Sequence, residues 1–255
     1  MQRISTKMKL LSLAILGLGG IALAGSAAAQ SCPSTPDAWS GKTALSGGSV
    51  TVVSGGLDGS SCKMAASVGS SAVSIATVRD DSPSNEPRYR FQFLIDTSGL
   101  GTIGSLDLVQ VFSASSQNPY PASGGRRQMV GLALAPAGSG AANLTITAAC
   151  NNASSNFRCL ASTPALSAGV NRIEVDLQVG AGGSGQLRYW LNAAAGTGEP
   201  APTGTIDNLD NTGWVGVNTA TMGVYGGSPA YRSNHAGQPV YFDTFDSRRQ
   251  TYIGH

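Results

Sequence analysis

Downstream of residue 30, apolar side chains recur at every second position in short runs separated by clusters of Gly, Ser, Asn and Pro. Successive side chains on an extended chain point to opposite faces, so this period predicts strands with one buried face. At least ten such runs can be marked: Ser49–Ser54, Ala72–Arg79, Tyr89–Asp96, Leu106–Ser113, Met129–Leu134, Asn143–Ala149, Arg172–Val179, Gln186–Asn192, Trp214–Tyr225 and Val240–Asp246. Arg172–Val179 and Gln186–Asn192 are joined by the glycine-rich stretch 180–185, which predicts an antiparallel hairpin. The longest tracts left as loops are Ser113–Arg127, Ala193–Gly213 and Gly226–Gln238, and no amphipathic helix is expected after residue 30. No repeat of 20–50 residues is present, which argues against a solenoid or propeller.

The first residues read differently. Arg3, Lys7 and Lys9 precede an uncharged apolar run, Leu10–Ala24, and small side chains follow at Ala27–Ala29. This is the pattern of a cleavable secretory signal peptide, residues 1–29, leaving 30–255 as a single domain. A membrane-spanning helix needs about 20 apolar residues. This run is shorter, interrupted by glycines, and nothing after Ala29 approaches that length. Export implies a secreted or periplasmic address.

Removal of the leader changes the charge balance. Taking those three cations from the 16 Lys and Arg leaves 13 against 14 Asp and Glu, a net −1. No basic cluster beyond Arg126-Arg127 and Arg248-Arg249 remains, so neither nucleic acid nor a membrane is expected as a partner. The four cysteines, Cys32, Cys62, Cys150 and Cys159, predict two disulfides in an oxidising compartment. Of three possible pairings, Cys32–Cys62 and Cys150–Cys159 are favoured because each closes a local loop.

From Tyr89 onward the order of elements resembles a laminin G-like, concanavalin A-like jelly roll. The resemblance rests on Arg90-Phe91-Gln92-Phe93, Leu108 to Phe112, Asn171 to Leu177, Gly185 to Asn192 and a closing Val240 to Ser247. It spans roughly residues 89–246 and implies an all-β, antiparallel two-sheet sandwich.

Within that frame, Glu174, Asp176 and Gln178 share one face of a strand. They resemble the E-x-D-x-E strand of concanavalin-like retaining glucanases, in which two carboxylates supply nucleophile and acid/base. Gln178 stands where the third acid would be and cannot exchange a proton, so a polar strand face is the expected reading and no catalytic residue is assigned. Asp243 and Asp246, three apart, point to opposite faces of one strand unless a bulge intervenes. His235 and His255 are the only histidines, and no hydrolase, P-loop or dinucleotide motif accompanies them.

Two kinds of ligand contact are expected instead. Trp190, Trp214 and Tyr120 are candidate platforms for a sugar ring, beside Glu174, Asp176 and Gln178 as polar partners. Asp207 and Asp210, in an Asx-rich stretch read as a loop, could hold a structural calcium; no other cofactor is implied. The leading expectation is a non-catalytic exported sandwich recognising a polysaccharide or cell-surface glycan. The alternatives are a divergent glycoside hydrolase or polysaccharide lyase, and a structural or adhesive surface component.

Overall fold

The alternating runs become strands whose apolar positions meet across two layers. A computed structural model describes residues 32–33, 35–117, 127–137, 142–151, 158–160, 163–194, 196, 198–248 and 250–254. All of these belong to one unit, Ser31–His255. Among them are fourteen strands: β1 (Gly41–Leu45), β2 (Ser49–Ser54), β3 (Cys62–Ser67), β4 (Ile75–Asp80), β5 (Arg88–Asp96), β6 (Val109–Ser115), β7 (Gln128–Pro136), β8 (Ala142–Ala149), β9 (Arg158–Leu160), β10 (Val170–Gln178), β11 (Gly185–Leu191), β12 (Gly204–Leu209), β13 (Thr219–Tyr225) and β14 (Val240–Arg248).

They form two seven-stranded antiparallel sheets. The first has the order β1-β4-β13-β6-β7-β8-β9 and the second β12-β11-β10-β5-β14-β3-β2. The architecture is an all-β sandwich, as the period-2 pattern requires once each sheet must cover one apolar face. Phe91 and Phe93 of β5 meet Phe112 of β6 across the interface, with ring centroids 4.0 and 5.5 Å apart. All three are fully buried.

The expected hairpin is present, with β10 and β11 paired from Ile173↔Leu191 to Gln178↔Gln186. Cys32 is bridged to Cys62, and Cys150 to Cys159. Three segments depart from the sequence pattern. Gly204–Leu209 is an edge strand inside the tract read as a loop. The predicted strand from Trp214 begins only at Thr219, because Val215 and its neighbours make a tight turn with φ +70° at Val215. A short helix, α1 (Pro229–Asn234), occupies the expected loop 226–238. Ser228 caps α1, its hydroxyl accepting from the Tyr231 amide at 3.1 Å, and Pro229 supplies the first helical φ.

Candidate functional site

Alternation along β10 sends Ile173, Val175 and Leu177 into the core and turns Glu174 and Asp176 to the outer side of the second sheet. Neither carboxylate reaches solvent, each residue being 3 % exposed. Arg88 grips Asp176 with two hydrogen bonds of 3.0 and 2.8 Å, and Arg188 adds a third of 2.6 Å. Fully buried Arg90 pairs with Glu174 and with Glu199, the latter at 3.1 Å. Glu174 also accepts from the backbone amides of Ile253 and Gly254 at 3.1 and 3.3 Å. Burial opposes the charge on Asp176, but the hydrogen bonds from Arg88 and Arg188 hold its pKa below the ordinary carboxylate value. An acid clamped in this way is a poor proton acceptor. Gln178, at the strand end, is exposed.

The aromatic candidates are placed elsewhere than on an open surface. Trp190 is 1 % exposed, beneath Arg90, whose guanidinium lies 4.3 Å from the indole centroid. Its Nε1 donates to the Pro200 carbonyl at 2.9 Å. Trp214 is wholly buried in the core. Neither indole offers a face to a sugar, because the sandwich uses both as packing. Tyr120 lies outside the described residues.

Asp207 sits on β12 rather than in a loop, and its oxygens accept from Gln186 at 2.5 Å and Thr205 at 2.9 Å. Those two hydrogen bonds lower its pKa. Asp210 follows the strand, its carbonyl accepting from the Asn151 amide at 2.6 Å. Among the described residues no group of three or more His, Cys, Asp or Glu side chains is placed to hold a metal ion.

His235, within the tract read as a loop, is 3 % exposed at the end of α1. Its Nε2 lies 2.8 Å from Asp107 Oδ2 and its Nδ1 lies 3.0 Å from Gln238 Oε1. Burial works against the charge on Asp107, yet hydrogen bonds from His235, the Gly104 amide and Asn234 together hold its pKa below normal. The pair ties α1 to the loop before β6, with the Tyr231 ring 4.9 Å from the imidazole.

The outer face of the first sheet carries different chemistry. Strand pairing sets Arg79, Thr221, Ser113, Gly131 and Thr147 in one row across β4, β13, β6, β7 and β8. At a spacing of 4.7–4.9 Å per strand, the row is about 19 Å long. Its floor is small and polar: Thr77, Ser113 and Thr147 are only 5 %, 7 % and 6 % exposed although they face away from the core. Gly131 is required there, since a Cβ would stand 2.8 Å from both Gln128 Nε2 and Thr147 Oγ1. Exposed Arg79 and Arg158 stand near opposite ends of this row: Arg79 pairs with Asp81 at 2.9 Å with its guanidinium beside Gly41 of β1, and Arg158 donates to Gln128 at 3.0 Å. Tyr225 lies beside Ser113 with its hydroxyl buried; burial pushes the phenol pKa well up, against the effect of Ser113. The result is a shallow trough of neutral hydroxyl and amide groups with an arginine near either end and one covered phenol that keeps its proton. The alternating sequence marks these residues as outward-facing, but nothing local distinguishes a trough floor from an ordinary wetted face.

No protein-family model and no curated protein matches the chain. Solved structures do. The endo-β-1,4-glucuronan lyase from the fungus Trichoderma reesei aligns over 86 % of this chain and 94 % of its own, with a TM-score of 0.64 at 12 % identity. The marine PL-14 alginate lyase from Aplysia kurodai aligns over 79 % of this chain and 87 % of its own, with a TM-score of 0.53 at 15 % identity. The cellulose-induced protein Cip1 aligns over 83 % and 91 %, with a TM-score of 0.51 at 15 % identity. At these identities the likeness is one of fold, a sandwich of the kind found among carbohydrate-active proteins.

Proposed function

We propose that the protein is an exported, polysaccharide-active sandwich that holds an acidic sugar chain in the trough on the outer face of the first sheet. The observation that carries this reading is the trough itself: a buried floor of hydroxyl groups long enough for several sugar residues, with Arg158 at the end of the row beyond β8. Hydroxyls and amides match the hydrogen bonds of a sugar ring, and guanidinium groups match a uronate carboxylate in a bidentate manner. The likeness in fold to a glucuronan lyase and an alginate lyase supports the same substrate class. The order of strands from Tyr89 onward supports placing the sandwich with the concanavalin A-like, laminin G-like jelly rolls. The apolar leader and the two disulfides support export to the periplasm or medium.

Cleavage by β-elimination suits this surface better than hydrolysis. Hydrolysis by the usual route needs two free carboxylates, and those of β10 are held by arginines. Elimination at a uronate needs a clamp on the carboxylate, loss of the C5 proton, and a proton for the departing O4 as the C4–C5 double bond forms. Arg158, at the β9 end of the row, is placed for the first task; the C5 proton passes to water, and the Tyr225 phenol, covered in the resting fold, donates to O4 only if substrate binding exposes it. Incubation with glucuronan and with alginate tests this: the expected result is ultraviolet absorbance from the unsaturated product, absent in Tyr225→Phe.

A second reading, binding without cleavage, is favoured by one observation. The outward positions of β4, β13, β6, β7 and β8 in this row hold no His, Asp or Glu to accept the C5 proton. Retention of the protein in gels containing either polymer, with no absorbance change, would select that reading. A folded protein that neither cleaves nor is retained by any acidic polysaccharide sinks both.

A further inference from the structure

A second recessed surface lies apart from the trough, and its origin is a break in the second sheet. β14 pairs with β3 only from Val240 to Phe242, while its pairing with β5 continues to Arg248. A bulge between Asp243 and Asp246 causes the parting, with Thr244 at φ +46°. Beyond Phe242 no described strand pairs with that edge of β14. The gap opens a cleft of about 570 Å³ that reaches inward to Met64 and Met222. Residues 35–39, next to the Cys32–Cys62 bridge, form its outer wall.

The lining combines two properties. Its apolar part includes Trp39, which packs on Phe245 with centroids 4.8 Å apart and is half-buried. Its charged part, among the described residues, is Asp37, Asp80, Asp243 and Asp246 against Lys63. The Lys63 amine is drawn over the Tyr241 ring, 4.2 Å from the centroid. Asp246 also pairs with Arg248 at 3.0 Å, Asp80 accepts from Ser82, and Asp243 accepts from Leu57 and Ser60. A carboxylate has about four acceptor directions, so the two bonds from Ser82 leave Asp80 able to accept another donor. The bulge is the exception that lets Asp243 and Asp246 share a site: the extra residue changes the alternation, and both line this one cleft.

We propose that the cleft binds an organic ammonium ion with an apolar body, the cation held by the aspartates and the indole of Trp39 and the body seated on the methionine and phenylalanine floor. The size is that of pockets which bury a small organic ligand, and an indole beside carboxylates is a favourable setting for a desolvated cation. An anionic ligand is disfavoured by the excess of aspartates, and a neutral apolar ligand gains no charge-assisted contact from them. The site is independent of the polysaccharide reading, because it shares no residue with the trough.

The test uses phenethylammonium, neutral 2-phenylethanol and anionic phenylacetate on the full mature chain, followed by tryptophan fluorescence and calorimetry. Trp39 is the reporter, since the other two tryptophans are buried. The cation should bind saturably and about tenfold more tightly than the alcohol, with no binding of the acid. Asp37→Asn with Asp246→Asn should remove most of that preference, and Trp39→Phe should remove the fluorescence change while weakening the heat signal. Equal binding of cation and alcohol, retained preference in the doubly substituted protein, or no saturable binding to the folded protein would each overturn the proposal. The comparison of ligands on the unaltered protein stands even if a variant fails to fold.

Discussion

Arg90 and Glu174 form an ion pair on the outer side of the second sheet with almost no exposure, 0 % and 3 % of each side chain. They are diagonal neighbours on adjacent strands, since Arg90 is paired in register with Asp176 and Glu174 with Gln92. Arg90 is further enclosed by the rings of Trp190 and Tyr252, at 4.3 and 4.8 Å. The pair is therefore part of a covered charge layer, held between the strands below and residues 252–254 above.

Breaking that layer should cost stability and leave recognition intact. Removing one member of a buried pair strands the other, a loss of roughly 3 kcal/mol even where other acids remain nearby. Glu174→Gln is expected to unfold at clearly lower denaturant concentration while keeping its retention on acidic polysaccharide. Lost retention in a folded Glu174→Gln protein would instead place the ligand on the second sheet.

The acid limb of the stability profile should depend on Asp107 and Asp176. Both have pKa values lowered in the folded state. An unfolded Asp titrates near 3.9, so their contribution is fully present above that pH and is lost as the pH falls through the lower folded values. Asp107→Asn should reduce stability at neutral pH, and the gap from the unaltered protein should close at strongly acid pH. Urea titrations at several pH values measure this; a gap that does not change with pH would refute it.

The trough can be blocked from its floor. Gly131→Val puts methyl groups where Gln128 and Thr147 already approach within 2.8 Å of the Cβ position. The expected outcome is loss of polysaccharide retention in a protein that still folds with modest destabilisation. Undiminished retention would move the binding surface away from the first sheet.

The two disulfides should differ in weight. Cys32–Cys62 spans 30 residues and Cys150–Cys159 spans 9. Loop-closure entropy gives about 4 and about 3 kcal/mol respectively. Paired Cys→Ala replacement should therefore lower the denaturation midpoint more for the first bridge, and the reverse order would show that strain or residual structure outweighs loop length.

Much of the sandwich is legible in the chain, and the reasons are local. The β10–β11 hairpin follows from alternation on both sides of a glycine stretch. β12 escapes notice because Thr205, Asp207 and Asn208 are polar and the strand lies at a sheet edge, where one-sided pairing needs little apolar content. α1 is six residues long, too short for a helical period to emerge, although Ser228-Pro229 carries its start signal. Leu106 and Leu108, read as strand interior, are 76 % and 47 % exposed, since β6 begins only at Val109.

Site residues were legible as chemistry and not as position. The sequence by itself determined that the chain forms extended strands with one apolar face to bury, because alternate side chains on an extended backbone point the same way. Only the tertiary structure decided that Glu174 and Asp176 are held by arginines 84–88 residues away from them along the chain or across a hairpin, while plain Thr, Ser and Gly positions line a trough. The first depends on neighbours along the chain; the second depends on charges and surfaces that meet only when distant strands are brought into register.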